Sequence, residues 1–173
     1  MFDNKEILVV EDTMTQMLII EGLLSSCGFR VACAANPQEA LDWLQDNNAR
    51  TVLTDISMPG MNGYELCKSL RQDPRFNSIP VILMESLKDE TSLGRILKAG
   101  ADGFIYKDFE EDYFIPMLTK IIDKYQTGET SNAQLDLLID GSKISVTSKQ
   151  LEIVLLAAFN TSVYCAKKLE LLV

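Results

Sequence analysis

The chain has 173 residues, of which 47% are hydrophobic, and this is enough for one well-packed domain plus a further segment but short for two full domains. Its net charge of −9 argues against unaided binding of nucleic acid, which requires a basic face that neutralises phosphates. The absence of histidine excludes histidine general-base catalysis, histidine metal ligation and donation of phosphate from a phosphohistidine of this chain.

Five short apolar runs alternate with amphipathic stretches, and this alternation predicts a parallel sheet that helices cover on both faces. Continuous runs rich in β-branched residues suit strands that are buried on both faces. The predicted strands are residues 6–10, 31–34, 51–54, 81–84 and 103–106.

Each predicted helix is bounded by residues that commonly begin or end helices. The first covers about residues 13–27 and is followed by Gly28, which can adopt a positive φ. The second has Asn36 as its N-cap and Pro37 at its first position, and it ends near residue 47. The others are predicted at 64–71, 89–99 and 110–125, where Pro116 indicates a kink or a later start of the last helix.

The composition changes after residue 125. Residues 126–133 are polar and indicate a linker, and two apolar runs at 135–139 and 143–147 flank Asp140-Gly141, a favoured two-residue turn, which predicts a β-hairpin. Residues 148–173 contain no Gly or Pro and repeat apolar or small residues at a and d positions, which predicts a long amphipathic helix. The predicted division is therefore a domain at 1–125, a linker and hairpin at 126–147, and a helix at 148–173 that we expect to be truncated.

Charged side chains follow three of the predicted strands. Glu11 and Asp12 follow the first, Asp55 the third and Lys107 the fifth. Because the carboxyl ends of parallel strands meet at one edge, where open α/β sheets bind ligands, these four side chains are expected to lie together. Phosphoryl transfer to a carboxylate needs a nucleophilic oxygen, a divalent cation and a fixed positive group. Asp55, a Mg²⁺ ion on the acidic pair and Lys107 are the candidates for these parts.

The stretch Asp55-Ile-Ser-Met-Pro-Gly-Met-Asn-Gly63, together with the acidic pair and the late lysine, resembles the receiver domain of two-component response regulators, the CheY-like family, over roughly the first 125 residues. The resemblance implies a flavodoxin-like, doubly wound (βα)5 fold. It also implies that Asp55 accepts a phosphoryl group from a histidine kinase or phosphotransfer protein. Lys107 would contact that group, and Glu11, Asp12, Asp55 and the backbone carbonyl of Ser57 would hold Mg²⁺. The domain would itself catalyse both the phosphorylation and the dephosphorylation of Asp55.

Three positions depart from the family pattern. The fourth strand usually ends in Thr or Ser followed by a small residue, whereas this chain has Glu85 and then Ser86. An ionised carboxylate cannot donate a hydrogen bond to a phosphoryl group and would repel it. The alternatives are that Ser86 substitutes, that Glu85 points away, or that phosphorylation is not transmitted in the usual manner. Lys107 is followed by Asp108 in place of the common proline, and the aromatic switch position is Phe104.

Several functional alternatives remain open at the level of sequence. The first is a non-switching receiver that acts as an interaction or dimerisation scaffold, which Glu85 motivates. A metal-dependent phosphatase with an aspartyl nucleophile is less favoured, because such enzymes usually carry a second Asp where this chain has Ser57. The C-terminal segment resembles the connector of hybrid sensor kinases, so 148–173 is either a dimerising signalling helix, which would make a homodimer, or a helix folded back over the receiver.

The remaining composition suggests the compartment. Four cysteines show no metal-type spacing and no disulfide framework, and these are Cys27, Cys33, Cys67 and Cys165. No apolar run approaches the length of about 20 residues that a membrane span requires, and no signal peptide is apparent. We therefore expect a cytoplasmic protein with no direct contact to membrane or nucleic acid.

Overall fold

A computed structural model describes residues 6–85, 93–107, 111–126, 134–139, 142–148, 150, 151 and 155. Its main sheet has five strands in the order β2-β1-β3-β4-β5, all parallel. The strands are β1 (Glu6–Val10), β2 (Val31–Ala34), β3 (Ala49–Asp55), β4 (Val81–Glu85) and β5 (Gly103–Tyr106). The predicted fold class is confirmed, and β3 begins two residues earlier than predicted and extends to Asp55 itself.

Five helices connect and cover these strands. They are α1 (Met14–Ser26), α2 (Pro37–Asp46), α3 (Gly63–Gln72), α4 (Leu93–Ala99) and α5 (Glu111–Gln126). The predicted first turn of the fourth helix lies in 86–92, outside the described residues, and α5 runs through Pro116 as one helix. Helix α1 lies beside α5 and α3 beside α4, and the inner strands β1, β3 and β4 are largely buried, as the apolar runs predicted. The prediction is wrong for the edge strand β2, in which Cys33 is exposed.

Local sequence signals account for the ends of several helices. The Asn36 side chain accepts a hydrogen bond of 2.9 Å from the Glu39 amide, as the predicted N-cap requires. At α3, Asn62 and Glu65 form a reciprocal capping box with hydrogen bonds of 3.0 and 2.9 Å. Gly28 follows α1 with φ of 83°, as expected for a residue that ends a helix in the left-handed region.

The C-terminal part contains the predicted hairpin. Strands β6 (Gln134–Ile139) and β7 (Ser142–Thr147) are antiparallel, and Ile139 pairs with Ser142, which leaves two residues for the turn. Those residues, Asp140 and Gly141, lie outside the described residues, as do residues 127–133 of the linker predicted at 126–133. Gln126, the first residue of that predicted linker, is the last residue of α5. Of the predicted helix at 148–173, residues 148, 150, 151 and 155 are described and are helical. Within the described part of the chain, no helix is long and apolar enough to cross a membrane.

Arg71, at the end of α3, joins several segments at the amino end of the sheet. Its guanidinium donates hydrogen bonds to the backbone carbonyls of Gly100 at 2.8 Å, Ile79 at 2.9 Å and Asn77 at 3.1 Å. It also forms an ion pair with Asp102, whose carboxylate accepts a 2.8 Å hydrogen bond from the Val81 amide. The rigid fork of an arginine suits such multiple contacts, and it ties the α4–β5 turn to α3 and to the start of β4.

Gly63 lies where the chain returns over the end of β3, and no side chain fits there. Its amide donates a 3.0 Å hydrogen bond to the Ile56 carbonyl, and a Cβ atom at this position would lie 2.1 Å from the backbone oxygen of Asp55. The close approach holds the β3–α3 turn against the end of the strand that carries Asp55.

We predict that Gly63→Ala lowers the free energy of unfolding by about 1–3 kcal/mol, because the added methyl group forces backbone atoms apart. Gly22→Ala, at an exposed position of α1 where a Cβ meets nothing within 4 Å, is the matched control and should raise the stability by up to about 1 kcal/mol. Urea denaturation of both variants measures the two changes. If Gly63→Ala is as stable as the wild type, the β3–α3 turn is not tightly held.

Candidate functional site

The ends of β1, β3 and β5 bring Glu11, Asp12, Asp55 and Lys107 to one edge of the sheet. The parallel register places Val10 opposite Thr54 and Asp55 opposite Met84, so the residues that follow β1 lie beside the end of β3. β4 separates β3 from β5, and its last residue, Glu85, accepts a 2.7 Å hydrogen bond from the Lys107 amide. The lysine side chain therefore begins one strand away from Asp55 and reaches across to it.

Lys107 is the positive centre of this edge. Its Nζ atom lies 2.8 Å from Asp55 Oδ1 and 2.8 Å from Glu11 Oε2, and its side chain is only 6% exposed. The same nitrogen donates a 3.0 Å hydrogen bond to Gln16 Oε1, from the first turn of α1. The ammonium is thus held by two carboxylates and one side-chain amide oxygen, which fixes its position at the sheet edge.

Glu11 is fully buried, and its two carboxylate oxygens have different surroundings. Oε1 accepts a 3.2 Å hydrogen bond from the Thr13 amide, whereas Oε2 contacts Lys107 as an ion pair without meeting hydrogen-bond geometry. Burial raises the pKa of Glu11, Lys107 opposes this rise, and the negative charge of Asp55 adds to it. Two carboxylates thus contact one ammonium, a third from Asp12 lies close to them, and the edge carries an excess of negative charge.

The acidic cluster fits a divalent cation. Glu11, Asp12 and Asp55 each offer a carboxylate oxygen, and these oxygens lie within 4.8 Å of one another. The buried Oε2 of Glu11 makes no hydrogen bond, although it is ion-paired with Lys107, and Asp12 is exposed, which leaves room for water. A few carboxylates together with several waters are the usual Mg²⁺ environment. Ser57, whose carbonyl is the fourth predicted ligand, lies exposed in the loop after Asp55.

Glu85 and its neighbours occupy the end of β4. Its side chain is buried at 4% exposure and lies near Tyr64, at the start of α3. Burial raises the pKa of Tyr64, Arg95 lowers it and the negative charge of Glu85 raises it further. The Arg95 guanidinium stacks over the Tyr64 ring at 4.5 Å from its centre. Glu85 therefore shares its surroundings with α3 and α4, and Ser86 and Asp108 lie outside the described residues.

The predicted switch aromatic, Phe104, belongs to the core. It is 1% exposed and packs edge to face against Tyr106, with ring centres 5.6 Å apart at 77°. Tyr106, one residue before Lys107, is only half-buried.

Two contacts of the site were not predicted from the sequence. The contact of Gln16 with Lys107 joins residues that are 91 positions apart in the sequence, so local spacing does not predict it. The stacking of Arg95 on Tyr64 joins the consecutive helices α4 and α3 across β4, and no local pattern predicts it. Cys67, by contrast, is a core residue without a role in the site: burial raises the pKa of its thiol to about 12, so it stays protonated.

The arrangement identifies a protein family. Residues 7–119, more than half of the chain, match the model of the response regulator receiver domain. The chain therefore belongs to the response regulator receiver family of two-component systems, and the predicted family is confirmed. The acidic cluster is of the kind at which receiver domains bind Mg²⁺.

Individual relatives show how far the similarity extends. The two-component response regulator ORR5 of Oryza sativa subsp. japonica is 36% identical over 102 residues, which cover 58% of this chain and 76% of that protein. The probable transcriptional regulator ycf27 of Cyanophora paradoxa is 32% identical over 151 residues, which cover 86% of this chain and 62% of that protein. A span that takes in 86% of 173 residues necessarily includes the β6–β7 hairpin.

Solved receiver structures share the fold. One is the receiver domain of the sensor histidine kinase PA1611 from Pseudomonas aeruginosa PAO1, which has a magnesium ion coordinated in its active-site cleft. It superposes with a TM-score of 0.62 at 25% sequence identity and covers 70% of this chain and 99% of its own.

We predict that Lys107→Met, in metal-free buffer at neutral pH, lowers the free energy of unfolding by about 3–5 kcal/mol, because Glu11 and Asp55 lose their buried partner. The pKa of Glu11 is already raised, so its ionised form costs stability above that pKa and the cost disappears as the pH falls towards the ordinary glutamate range. The loss should therefore shrink on acidification. Denaturation at several pH values measures it, with Lys68→Met at an exposed position of α3 as the control. A loss that is the same at every pH would contradict the coupling.

Proposed function

We propose that the chain receives a phosphoryl group on Asp55 and passes on the resulting change of state. The contact of Lys107 Nζ with Asp55 Oδ1 at 2.8 Å, inside a cluster of three carboxylates, is the observation that carries the proposal. An oxygen of Asp55 attacks the phosphorus of the donor, the bond from phosphorus to the donor breaks, and an acyl phosphate forms. Lys107 holds the new charge through a donor already fixed in place.

The acidic pair, Glu11 and Asp12, would bind the divalent cation that the reaction needs in addition to Lys107. Glu11, Asp12, Asp55 and the Ser57 carbonyl are the residues that would hold Mg²⁺, whose chemical part is to offset charge on the carboxylate and on the phosphoryl oxygens. The reverse step returns the protein to its starting state: water attacks phosphorus, the phosphorus–oxygen bond to Asp55 breaks, inorganic phosphate leaves and the Asp55 carboxylate is restored.

A histidine that donates the phosphoryl group lies outside these 173 residues, because this sequence has no histidine. The surface beside the site is apolar: Met14 is 64%, Leu18 57% and Ile19 41% exposed on α1, and Met61 is 36% exposed in the loop after Asp55. Met14 and Leu18 are one helical turn apart and face the same side. Such a patch fits docking of a histidine kinase or phosphotransfer protein.

Glu85 bears on the choice between a phosphoryl acceptor and a non-switching scaffold. The last residue of β4 is a carboxylate, buried near Tyr64, where the family usually has a hydroxyl that binds the phosphoryl group, and this was the reason for considering a non-switching scaffold. The scaffold would keep the fold and the acidic cluster without stable phosphorylation. We favour the phosphoryl acceptor, since Lys107, Glu11 and Asp55 retain contacts that a scaffold does not need.

The similarity to ycf27 favours a second function for the C-terminal part. That protein is a probable transcriptional regulator, and its similarity to this chain includes the hairpin. The hairpin would then belong to an output module for gene regulation and not to a kinase connector. With a net charge of −9, the chain would bind nucleic acid through residues that the structure does not describe or through a partner. The cytoplasmic location and a homodimer through 148–173 stay predictions.

We predict that acetyl phosphate and Mg²⁺ add about 80 Da to the intact protein, the mass of one phosphoryl group. The adduct should be absent from Asp55→Asn, which lacks the nucleophilic carboxylate, and strongly reduced in Lys107→Met or when Mg²⁺ is chelated. Intact mass spectrometry reads all four samples. An unmodified wild type that also fails to bind beryllofluoride would support the scaffold.

We predict that Leu18→Lys lowers the rate of phosphoryl transfer from a kinase that phosphorylates the wild type by roughly tenfold or more, because burial of an apolar anchor is replaced by desolvation of a charge. Labelling by acetyl phosphate should be unchanged. Gln38→Lys, the same change of charge at an exposed position of α2, is the control. If transfer is equal in all three proteins, α1 is not the docking surface.

A further inference from the structure

Lys107 needs contacts at the tip of its side chain to stay where it is. Its backbone follows β5, which β4 separates from the strand that carries Asp55, and its Nζ atom reaches both Asp55 Oδ1 and Glu11 Oε2. A lysine side chain is a flexible four-carbon stem, so this extended arrangement loses the rotamer freedom that an exposed lysine keeps. The contacts of the ammonium have to offset that loss, and each of them therefore affects where the charge lies.

Gln16 differs in kind from the two carboxylates that contact this ammonium. Its Oε1 atom accepts a 3.0 Å hydrogen bond from Lys107 Nζ, and the oxygen of the amide must face the lysine because an ammonium only donates. Gln16 is half-buried in the first turn of α1, and Met17 and Ile20 beside it are buried in the core. The helix backbone is therefore anchored, and Gln16 reaches the ammonium from a fixed point.

The three acceptors of Lys107 differ in how a bound cation affects them. Asp55 and Glu11 are among the residues that would hold Mg²⁺, and a carboxylate that shares its charge with a divalent cation attracts an ammonium less strongly. Gln16 is not one of these acidic residues, and its amide oxygen has no net charge for the cation to offset. The hydrogen bond from Lys107 to Gln16 is therefore the contact of the ammonium that the cation weakens least.

We propose that Gln16 is a positioning residue for phosphoryl transfer, which acts through Lys107. It holds the ammonium beside Asp55 when the carboxylates share their charge with Mg²⁺, so that the fixed positive group is in place when the phosphoryl group arrives. A donor that is already in position stabilises the transition state without rearranging during the reaction. The positioning role rests on the proposed function, whereas the hold on Lys107 can be measured without any phosphoryl transfer.

The hold on Lys107 is tested by the rate at which a trace of acetic anhydride acetylates it. The full chain is treated in Mg²⁺ without a phosphoryl donor, and peptide mass mapping compares Lys107 with the exposed Lys68 of α3 as an internal reference. Gln16→Met keeps the length of the side chain but removes the acceptor, and it should speed acetylation of Lys107 about fivefold, the factor that a net hydrogen bond of ordinary strength gives. Gln16→Glu keeps an acceptor oxygen and should be acetylated no faster than the wild type.

The control for this measurement is Gln38→Met, which removes the same amide group from α2, where it bonds Asp42. Its Lys107 should be acetylated at the wild-type rate. Equal acetylation of Lys107 in Gln16→Met and the wild type would overturn the hold and with it the proposal. Acetylation that is as fast in Gln16→Glu as in Gln16→Met would also overturn it, because the acceptor oxygen would then not be what holds the lysine.

The positioning role is tested by the rate at which acetyl phosphate adds a phosphoryl group, read by intact mass over a range of Mg²⁺ concentrations. At saturating Mg²⁺, Gln16→Met should react about fivefold more slowly than the wild type and Gln38→Met. The Mg²⁺ concentration that gives half of the maximal rate should not increase, since Gln16 supplies none of the carboxylates of the acidic cluster, whereas a distorted site would raise it. Faster acetylation of Lys107 with an unchanged or higher phosphorylation rate would overturn the positioning role and leave the proposed function intact. A wild type that gains no phosphoryl group would overturn both.

Discussion

The contacts of Lys107 with Asp55 and Glu11 form the interaction on which the rest of the site depends. Removing three charged groups from water is costly, and their mutual attraction offsets this cost only when the geometry is good. The parallel sheet supplies that geometry, because the ends of β1, β3 and β5 fix the three backbones independently. One ammonium does not neutralise Glu11, Asp12 and Asp55. The cluster therefore has the excess negative charge that binds a cation and the fixed ammonium that binds a phosphoryl group.

The charged residues at this sheet edge are connected by further contacts to helices α3 and α4. Gly63 lets the chain approach the Asp55 carbonyl, and α3 begins there with its capping box. Tyr64, the next residue, lies between Glu85 and Arg95, which connects the edge to α4. Arg71 then fastens the opposite end of α4. The carboxylate at the end of β4 is thus part of the packing between α3 and α4, where the family usually places a hydroxyl directed at the phosphoryl group.

The sequence predicted most of the fold, because each element carries its own signal. The apolar runs marked all five strands, and Asn36 and Gly28 marked helix ends that the structure confirms. It also predicted which charged residues meet, since strand ends in a parallel sheet share one edge. Contacts between distant segments escaped it: Gln16 on Lys107, Arg71 on Gly100 and Gln150 on Ala101 are made by ordinary polar residues at unremarkable positions. Such contacts depend on tertiary packing, which no local pattern encodes. The burial of Glu85 near Tyr64 likewise follows from tertiary packing.

The central claim is that the carboxylate held by Lys107 is the one that reacts. Its most direct test is borohydride reduction of the protein after treatment with acetyl phosphate and Mg²⁺, followed by peptide mass mapping, because borohydride converts an aspartyl phosphate to homoserine. The account predicts homoserine at position 55 alone. Homoserine at position 12, or a phosphorylated protein with aspartate intact at position 55, would contradict it.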